Sequence, residues 1–327
     1  MPLVATPANV EPHHLRNVLD VLIVGAGPAG LSAALALGRV LRSAVIFDSG
    51  EYRNRASAHV HTVPTHDHKN PATIRNEMIA ELKAKYKTIT FASTAARSIR
   101  EIGAVFEVED VTGRCWKGRK VILATGSRDI LPEIPGYAVA WGKNILNCLF
   151  CHGFEEFGVP NAAALITSDD EASVEPIVFY AHLARQFTGD ITFLTNGLPH
   201  VDHHPKIETA KAHGFKVDNR PIKTINKAAP GSLMTVEFTD GTVVSYGFMV
   251  HKPRTVIRGP FAQQLNLEMT AGGDISVTGP LQETSRRGVF AAGDCATYIK
   301  QIAVGMGAGV GAGAGANAQM VEEDMGL

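Results

Sequence analysis

The stretch "DVLIVGAGPAGLSAALALGRVLRSAVIFDSG", residues 20–50, decides the architecture. It opens with an apolar run, Val21 to Val24, that reads as a buried strand. Gly25-Ala26-Gly27-Pro28-Ala29-Gly30 comes next and leads into an Ala/Leu-rich helix. A second apolar run, Ala44 to Phe47, ends at Asp48. This is a βαβ unit with G-x-G-x-x-G at its first turn. Gly25 permits the tight turn, Gly27 lets backbone approach a pyrophosphate, and Gly30 lets helix and strand pack closely. The helix start offers free N–H groups to phosphate oxygens. Asp48, with Ser49 beside it, stands where an acid can hold ribose hydroxyls. G-x-G-x-x-G alone is a weak signal, and a tight strand–helix turn would also produce it. Here strand, helix, second strand and acid agree, so a bound dinucleotide is expected.

Around this unit the composition is that of a globular enzyme. The 327 residues are 45% hydrophobic and 19% charged, enough for about two domains. The formal net charge of -1 includes no basic block for nucleic acid and no acidic tail. A small-molecule partner is therefore expected. The N-terminal "MPLVATPANVEPHHLRN" lacks the charged and apolar regions of a signal peptide. No apolar run reaches the roughly 18 residues of a membrane span. A cytoplasmic location follows as the expectation, and there a close cysteine pair is redox-active or metal-binding more often than a structural staple.

The chain holds four cysteines, and two lie three positions apart in "NCLFCHGFEEFG", residues 147–158. A C-x-x-C pair suits reversible disulfide chemistry and lowers thiol pKa. A four-cysteine zinc site would need a second such pair, which is missing. Cys115 and Cys295 are single and are expected to pack. His152 follows Cys151 directly and can move protons near neutral pH; the plainer reading is a histidine capping the next turn. The loop before residue 71 carries His59, His61, His66 and His68 in a spacing that matches no common zinc pattern, so no metal set is assigned.

Further along, "NPATIRNEMIAELKAKY" predicts a helix opened by Pro71. Strands are predicted at "TITFAS", "AVFEVED" and "VILATGS", the last ending in Ala124-Thr125-Gly126. "GVFAAGDCA" is another strand, ending in Gly293-Asp294. The Gly/Ala-rich tail disfavours helix by about 1 kcal/mol per glycine. Its apolar spacing through Ile302, Val304, Met306 and Val310 still predicts a buried helix, with backbone close to a cofactor or another helix. Between these parts lies "AALITSDDEASVEPIVFYAHLARQF", a second strand–turn–helix, followed by the strands "DITFLTN", "LMTVEFTD" and "TVVSYGFMV".

Gly25 to Gly30, Ala124-Thr125-Gly126, Cys148-x-x-Cys151 and Gly293-Asp294 stand in an order that resembles the low-molecular-weight thioredoxin reductases. The resemblance covers nearly the whole chain. It implies an α/β fold of two Rossmann-like, three-layer ββα domains. The FAD domain would be discontinuous, residues 1–127 and 252–327, with an inserted domain of the pyridine-nucleotide type at residues 128–251. It implies FAD as cofactor, held by Gly25, Gly27, Pro28, Ala29, Gly30, Asp48, Ser49, Ala124, Thr125, Gly126, Gly293, Asp294, Gln301 and Ile302. It also implies a homodimer, Cys148 as the cysteine facing substrate and Cys151 as the one nearest the flavin. His152 departs from that pattern, which carries Asp there.

A second departure bears on the electron source. The inserted domain of such reductases has its own glycine-rich turn for NADPH. Here the strand ending at Thr167 runs into Ser168-Asp169-Asp170-Glu171, without glycine. Acids there suit the helix dipole but repel phosphate by roughly 1–4 kcal/mol each. "LTNGLPHVDHH" after the next strand has no Arg or Lys for a 2′-phosphate. The expectation is therefore a degenerate NADPH site. Cys148-Leu149-Phe150-Cys151-His152-Gly153 and the 54–71 loop are similar to the dithiol oxidases exemplified by gliotoxin oxidase and holomycin oxidase. That branch implies a small-molecule dithiol substrate and O2 as acceptor. A disulfide reductase, or a non-catalytic protein that sequesters a dithiol, remain the alternatives.

Overall fold

Val21–Val24 are at most 5% exposed, and the apolar run they form is a central strand. The computed structural model describes residues 17–227 and 233–326. The N-terminal segment read for a targeting signal lies almost wholly outside the described residues. The first part of the chain runs β1 (Val18–Val24), α1 (Pro28–Arg39), β2 (Ala44–Phe47), α2 (Pro71–Lys85), β3 (Ile89–Ala92), β4 (Ala96–Ile102), β5 (Val105–Asp110) and β6 (Cys115–Leu123). The middle runs β7 (Ser127–Asp129), α3 (Tyr137–Ala140), β8 (Ile145–Leu146), α4 (Leu149–His152), β9 (Ala162–Leu165), α5 (Glu171–Ala184), β10 (Ile191–Leu194), α6 (Pro205–Ala212) and β11 (Lys216–Asp218). It continues through β12 (Ile222–Asn226), β13 (Met234–Phe238), β14 (Val243–Tyr246) and β15 (Phe248–Val250). The last part holds β16 (Thr255–Ile257), α7 (Phe261–Gln264), β17 (Val277–Thr278), β18 (Glu283–Thr284), β19 (Val289–Ala291) and α8 (Ile302–Asp324).

The chain divides into two units. The first comprises the residues up to Arg53, Ala72–Arg128 and those from Val256 onward. Its sheet follows the order β17-β18-β19-β6-β1-β2-β3. Strands β19, β6, β1, β2 and β3 are parallel, with Leu123 paired to both Val24 and Ala291, and Val24 to Phe47. The long strand β6 serves two layers: its first half pairs antiparallel with β5, its second half with β19. One face of the sheet packs α1 and α8 over Val21, Ile23, Ile46 and Ile122. The other buries Leu22, Val45, Phe47 and Val121. Fully buried parallel strands of this kind are near-continuous apolar runs, as β1 and β2 are.

The glycine-rich tail is the helix α8, and its glycines have a packing reason. A Cβ at Gly309 would come within 2.1 Å of the Ala29 carbonyl oxygen on α1. A Cβ at Gly313, one turn on, would meet the Ala33 carbonyl oxygen at 2.9 Å. The two helix backbones thus approach more closely than any side chain would allow. That close approach offsets the helix-forming cost of the glycines.

The second unit comprises Asn54–Pro71 and Asp129–Thr255. Its parallel sheet has the order β11-β10-β9-β15-β8, and a three-stranded antiparallel sheet, β12-β13-β14, completes it. The loop 54–71 belongs here, whereas the sequence places it within the 1–127 block. It is fixed by histidine contacts, with His61 edge-on to His152 at 5.9 Å. "TVVSYGFMV", read as a single strand, is two. Gly247 breaks it, sending β14 to the antiparallel sheet and β15 to the parallel one; a Cβ there would lie 2.5 Å from Val159. Among the described residues, no helix is long and apolar enough to cross a membrane.

Candidate functional site

In the first unit the expected cofactor residues converge. The parallel strands β2, β1, β6 and β19 end level with one another, and ligands of open α/β sheets bind at such carboxyl ends. Gly25 leaves β1 at φ +115, and a Cβ there would strike the Ala124 carbonyl oxygen at 2.2 Å. Gly293, at φ +78, would crowd Ala29 at 2.8 Å, so the fourth motif reaches the start of α1 as well. Gly27 is the N-cap of α1, with Pro28 in its first turn. A Cβ on Gly27 would meet nothing within 4 Å. The helix start is therefore backbone facing open space, as a bound pyrophosphate requires. Asp48 accepts hydrogen bonds from the Tyr52 hydroxyl at 2.7 Å and the Gly50 N–H at 2.9 Å. Burial, and then the Asp48 carboxylate, push the Tyr52 phenol up to about 12. A carboxylate has about four acceptor positions, so Asp48 keeps capacity for a ribose hydroxyl. Asp294 pairs with Arg53 at 3.1 Å, and Gln301 is the N-cap of α8, which Ile302 begins. These residues fit FAD.

Cys295 is buried, as expected, with its thiol directed at the Leu123 carbonyl oxygen at 3.3 Å. Cys115 is exposed rather than packed. It is the first residue of β6, in the exposed run that follows the 111–114 turn.

The corresponding turn of the second unit is closed. Asp170 is the N-cap of α5, and its side chain accepts from the Ser173 N–H at 2.9 Å. Ser168 and Ser173 hydroxyls donate to the same carboxylate. Those hydrogen bonds hold the Asp170 carboxyl below its ordinary range. Glu171 pairs with His204 at 2.9 Å and with Lys206 at 3.3 Å. Lys206, two residues past the stretch that lacks Lys and Arg, thus reaches this corner, but it is committed to Glu171 and Glu175. The Ser173 amide and the Lys206 ammonium are thus satisfied from within the chain.

Cys148 and Cys151 form a disulfide. Cys148 is the N-cap of α4, and the Cys151 N–H donates to its carbonyl oxygen at 3.3 Å, so the turn itself brings the sulfurs together. Gly153 ends the turn against Phe187, where a Cβ would come within 2.6 Å of the ring. Cys148 is buried and Cys151 half-buried. His152 lines a cavity of about 600 Å³ together with His59, His61, Asn144, Glu156 and Lys227, all within the second unit. Burial, and then the neighbouring His61, push the His152 imidazole below its ordinary value, against the pull of Glu155. Burial, reinforced by Glu155, raises the Glu156 carboxyl to about 7. Glu156 and the His61 side of this cavity were not legible in the sequence. The histidine loop lies some eighty residues before the cysteines, and no periodicity links them.

Known proteins match this description. The pyridine nucleotide-disulphide oxidoreductase family profile matches residues 19–166. Thioredoxin reductase sirT of Leptosphaeria maculans is 46% identical over 94% of this chain and 96% of its own length. Thioredoxin reductase aclD of Aspergillus oryzae is 42% identical over 88% of this chain and 92% of its own. The crystal structure of HlmI superposes with a TM-score of 0.85 at 31% identity, covering 95% of both chains. With the paired Rossmann-type units and the C-x-x-C disulfide, these similarities make the chain an oxidoreductase that belongs to the thioredoxin reductase-like flavoprotein family.

Proposed function

We propose that this protein is an FAD-dependent dithiol oxidase: it closes a disulfide within a small-molecule dithiol of the epidithiodiketopiperazine type, and O2 takes the electrons. The observation that carries this reading is the self-capped start of α5. Asp170 caps the helix start to which the family resemblance assigns a pyridine-nucleotide pyrophosphate, while the disulfide is present and the start of α1 carries no side-chain cap.

The protein's own part is thiol–disulfide exchange. A substrate thiolate attacks Sγ of Cys148, the Cys148–Cys151 bond breaks, and its electron pair leaves on Cys151 Sγ. The second substrate thiol loses its proton to His152 and attacks the substrate sulfur of the mixed disulfide. The cyclic disulfide departs, and Cys148 leaves as thiolate. The substrate has lost two electrons and the enzyme pair has gained them. His152 follows Cys151 directly and lines the cavity, so it is placed to hold and return the proton. Leu149 is buried, whereas Phe150 and Phe154 are exposed and available to an apolar substrate. Gly25–Gly30, Asp48, Ala124–Gly126 and Gly293–Asp294 would hold FAD, which would supply the two-electron carrier between the dithiol and O2, with H2O2 as product. A homodimer is the proposed active form and the cytoplasm its proposed location.

The test is absorbance at the flavin bands. Without air, a reduced epidithiodiketopiperazine should bleach the protein, and air should restore the colour with one H2O2 per turnover. NADPH should bleach it at least 100-fold more slowly, given about 1–4 kcal/mol of repulsion per misplaced carboxylate. Rapid bleaching by NADPH would overturn the reading in favour of a disulfide reductase. The Cys151→Ser variant, with Cys148 first activated as a thionitrobenzoate disulfide, should release thionitrobenzoate to a monothiol analogue of the substrate and keep that analogue on Cys148, and mass spectrometry of the stable adduct reads which sulfur faces substrate.

A further inference from the structure

We propose that His61, His68 and Glu155 form a binding site for a zinc-class divalent cation on the wall of the cavity beside the redox disulfide. The donor atoms of the three residues lie within 4.8 Å of one another. His61 directs Nε2 at Glu155 Oε1 across 3.5 Å, and His68 directs Nδ1 at the same oxygen across 3.8 Å. Tetrahedral zinc with bonds near 2.1 Å sets its ligand atoms about 3.4 Å apart. The two nitrogen–oxygen separations are thus close to the spacing that a metal between them imposes.

The second nitrogens of the two rings are also provided for. His61 Nδ1 lies 3.5 Å from Asp67 Oδ1, and His68 Nε2 lies 3.2 Å from Asp67 Oδ2. Asp67 is itself held by the Thr62 N–H at 3.0 Å. A carboxylate behind each ligating imidazole is the usual outer arrangement of a metal site, fixing ring orientation and tautomer. His66 stays outside the set, bonded to Thr65. Histidine spacing alone did not indicate the site, because the third donor comes from Glu155, beyond the C-x-x-C turn. Three protein ligands leave a fourth position for water or an entering thiolate. His61 and Glu155 line the cavity that also receives His152, so that position is next to the proposed thiol chemistry.

The experiment is zinc titration of the chelator-treated, FAD-loaded, oxidised protein, read by calorimetry and metal analysis. Keeping the disulfide closed removes Cys148 and Cys151 as competing ligands. One zinc per chain is expected, bound at least tenfold more weakly by His68→Ala and by Glu155→Gln. Asp67→Asn should weaken it by roughly 10- to 100-fold, the range for lost outer partners. Two ligand variants on different segments guard against misfolding of one, and thermal melts report it. Absence of zinc uptake, or uptake that neither ligand variant alters, would overturn the proposal. The readout is metal binding, so either result is independent of whether the protein oxidises dithiols.

Discussion

The two units carry the same supersecondary element, a buried parallel strand that turns into a helix, and they end it in opposite ways. At β1–α1 the cap is Gly27, and a side chain there would meet open space. At β9–α5 the cap is Asp170, whose carboxylate takes the amide hydrogen of Ser173 and two serine hydroxyls. Orphan amides at a helix start need an acceptor, from a ligand or from the chain. The first helix has no side-chain cap, and the second supplies one to Ser173. One fold element thus has an uncapped helix start in one unit and a side-chain-capped one in the other, through the residues at its turn.

The largest effect should come from making the first turn like the second. Gly27→Asp places a carboxylate where the pyrophosphate belongs. Gly27 has φ -73 and free space around its missing Cβ, so the fold should persist. Repulsion of about 1–4 kcal/mol corresponds to roughly fivefold to 1000-fold weaker FAD retention. The ratio of flavin to protein absorbance, with circular dichroism as control, measures it. Full flavin content in this variant would break the comparison.

If electrons enter at the disulfide and not at α5, weakening the proton relay should matter while the FAD cradle is untouched. His152→Gln is expected to slow dithiol-driven bleaching by about 100-fold with unchanged flavin content. Stopped-flow absorbance checks this, and an unaltered rate would assign the proton to another cavity residue such as Glu156.

The smallest effects belong to the closed turn. Asp170→Ala should cost about 1 kcal/mol of stability, the ordinary worth of a cap. The Asp170 carboxyl is lowered in the folded protein by its serine hydrogen bonds. Its contribution is thus complete above the unfolded aspartate value of about 3.9 and is lost as pH falls through the depressed folded value. The difference in urea midpoint between wild type and variant should be full at pH 7 and shrink below about pH 4. A difference that persists unchanged in acid would mean that Asp170 acts through packing and not as a charged cap.

Much of this was legible in the residues. Strands β1, β2, β6 and β19 announced themselves as apolar runs, ended by glycine in β1, β6 and β19 and by Asp48 in β2, because strands buried on both faces hold almost nothing but apolar residues. Ser168–Glu171 reads as a turn without glycine at a helix start, and Asp170 there is the N-cap of α5. Other features were hidden. Cys115 looked like a packing residue but is exposed at the start of β6. The split of "TVVSYGFMV" at Gly247 depends on the nearby Val159, which no local pattern reveals.

By itself the sequence determined whatever depends on backbone neighbours: the βαβ turn with its glycines, the C-x-x-C pair held in one short turn, and the proline-led helix α2. Such features rest on steric and hydrogen-bonding rules acting over a few residues. Only the tertiary structure decided which distant segments share a site. It set His61 and His68 against Glu155, brought Lys206 to Glu171, and laid the glycines of α8 along α1. Those meetings follow from how sheets stack and loops return, and they depend on packing of the whole core, which no short window of residues contains.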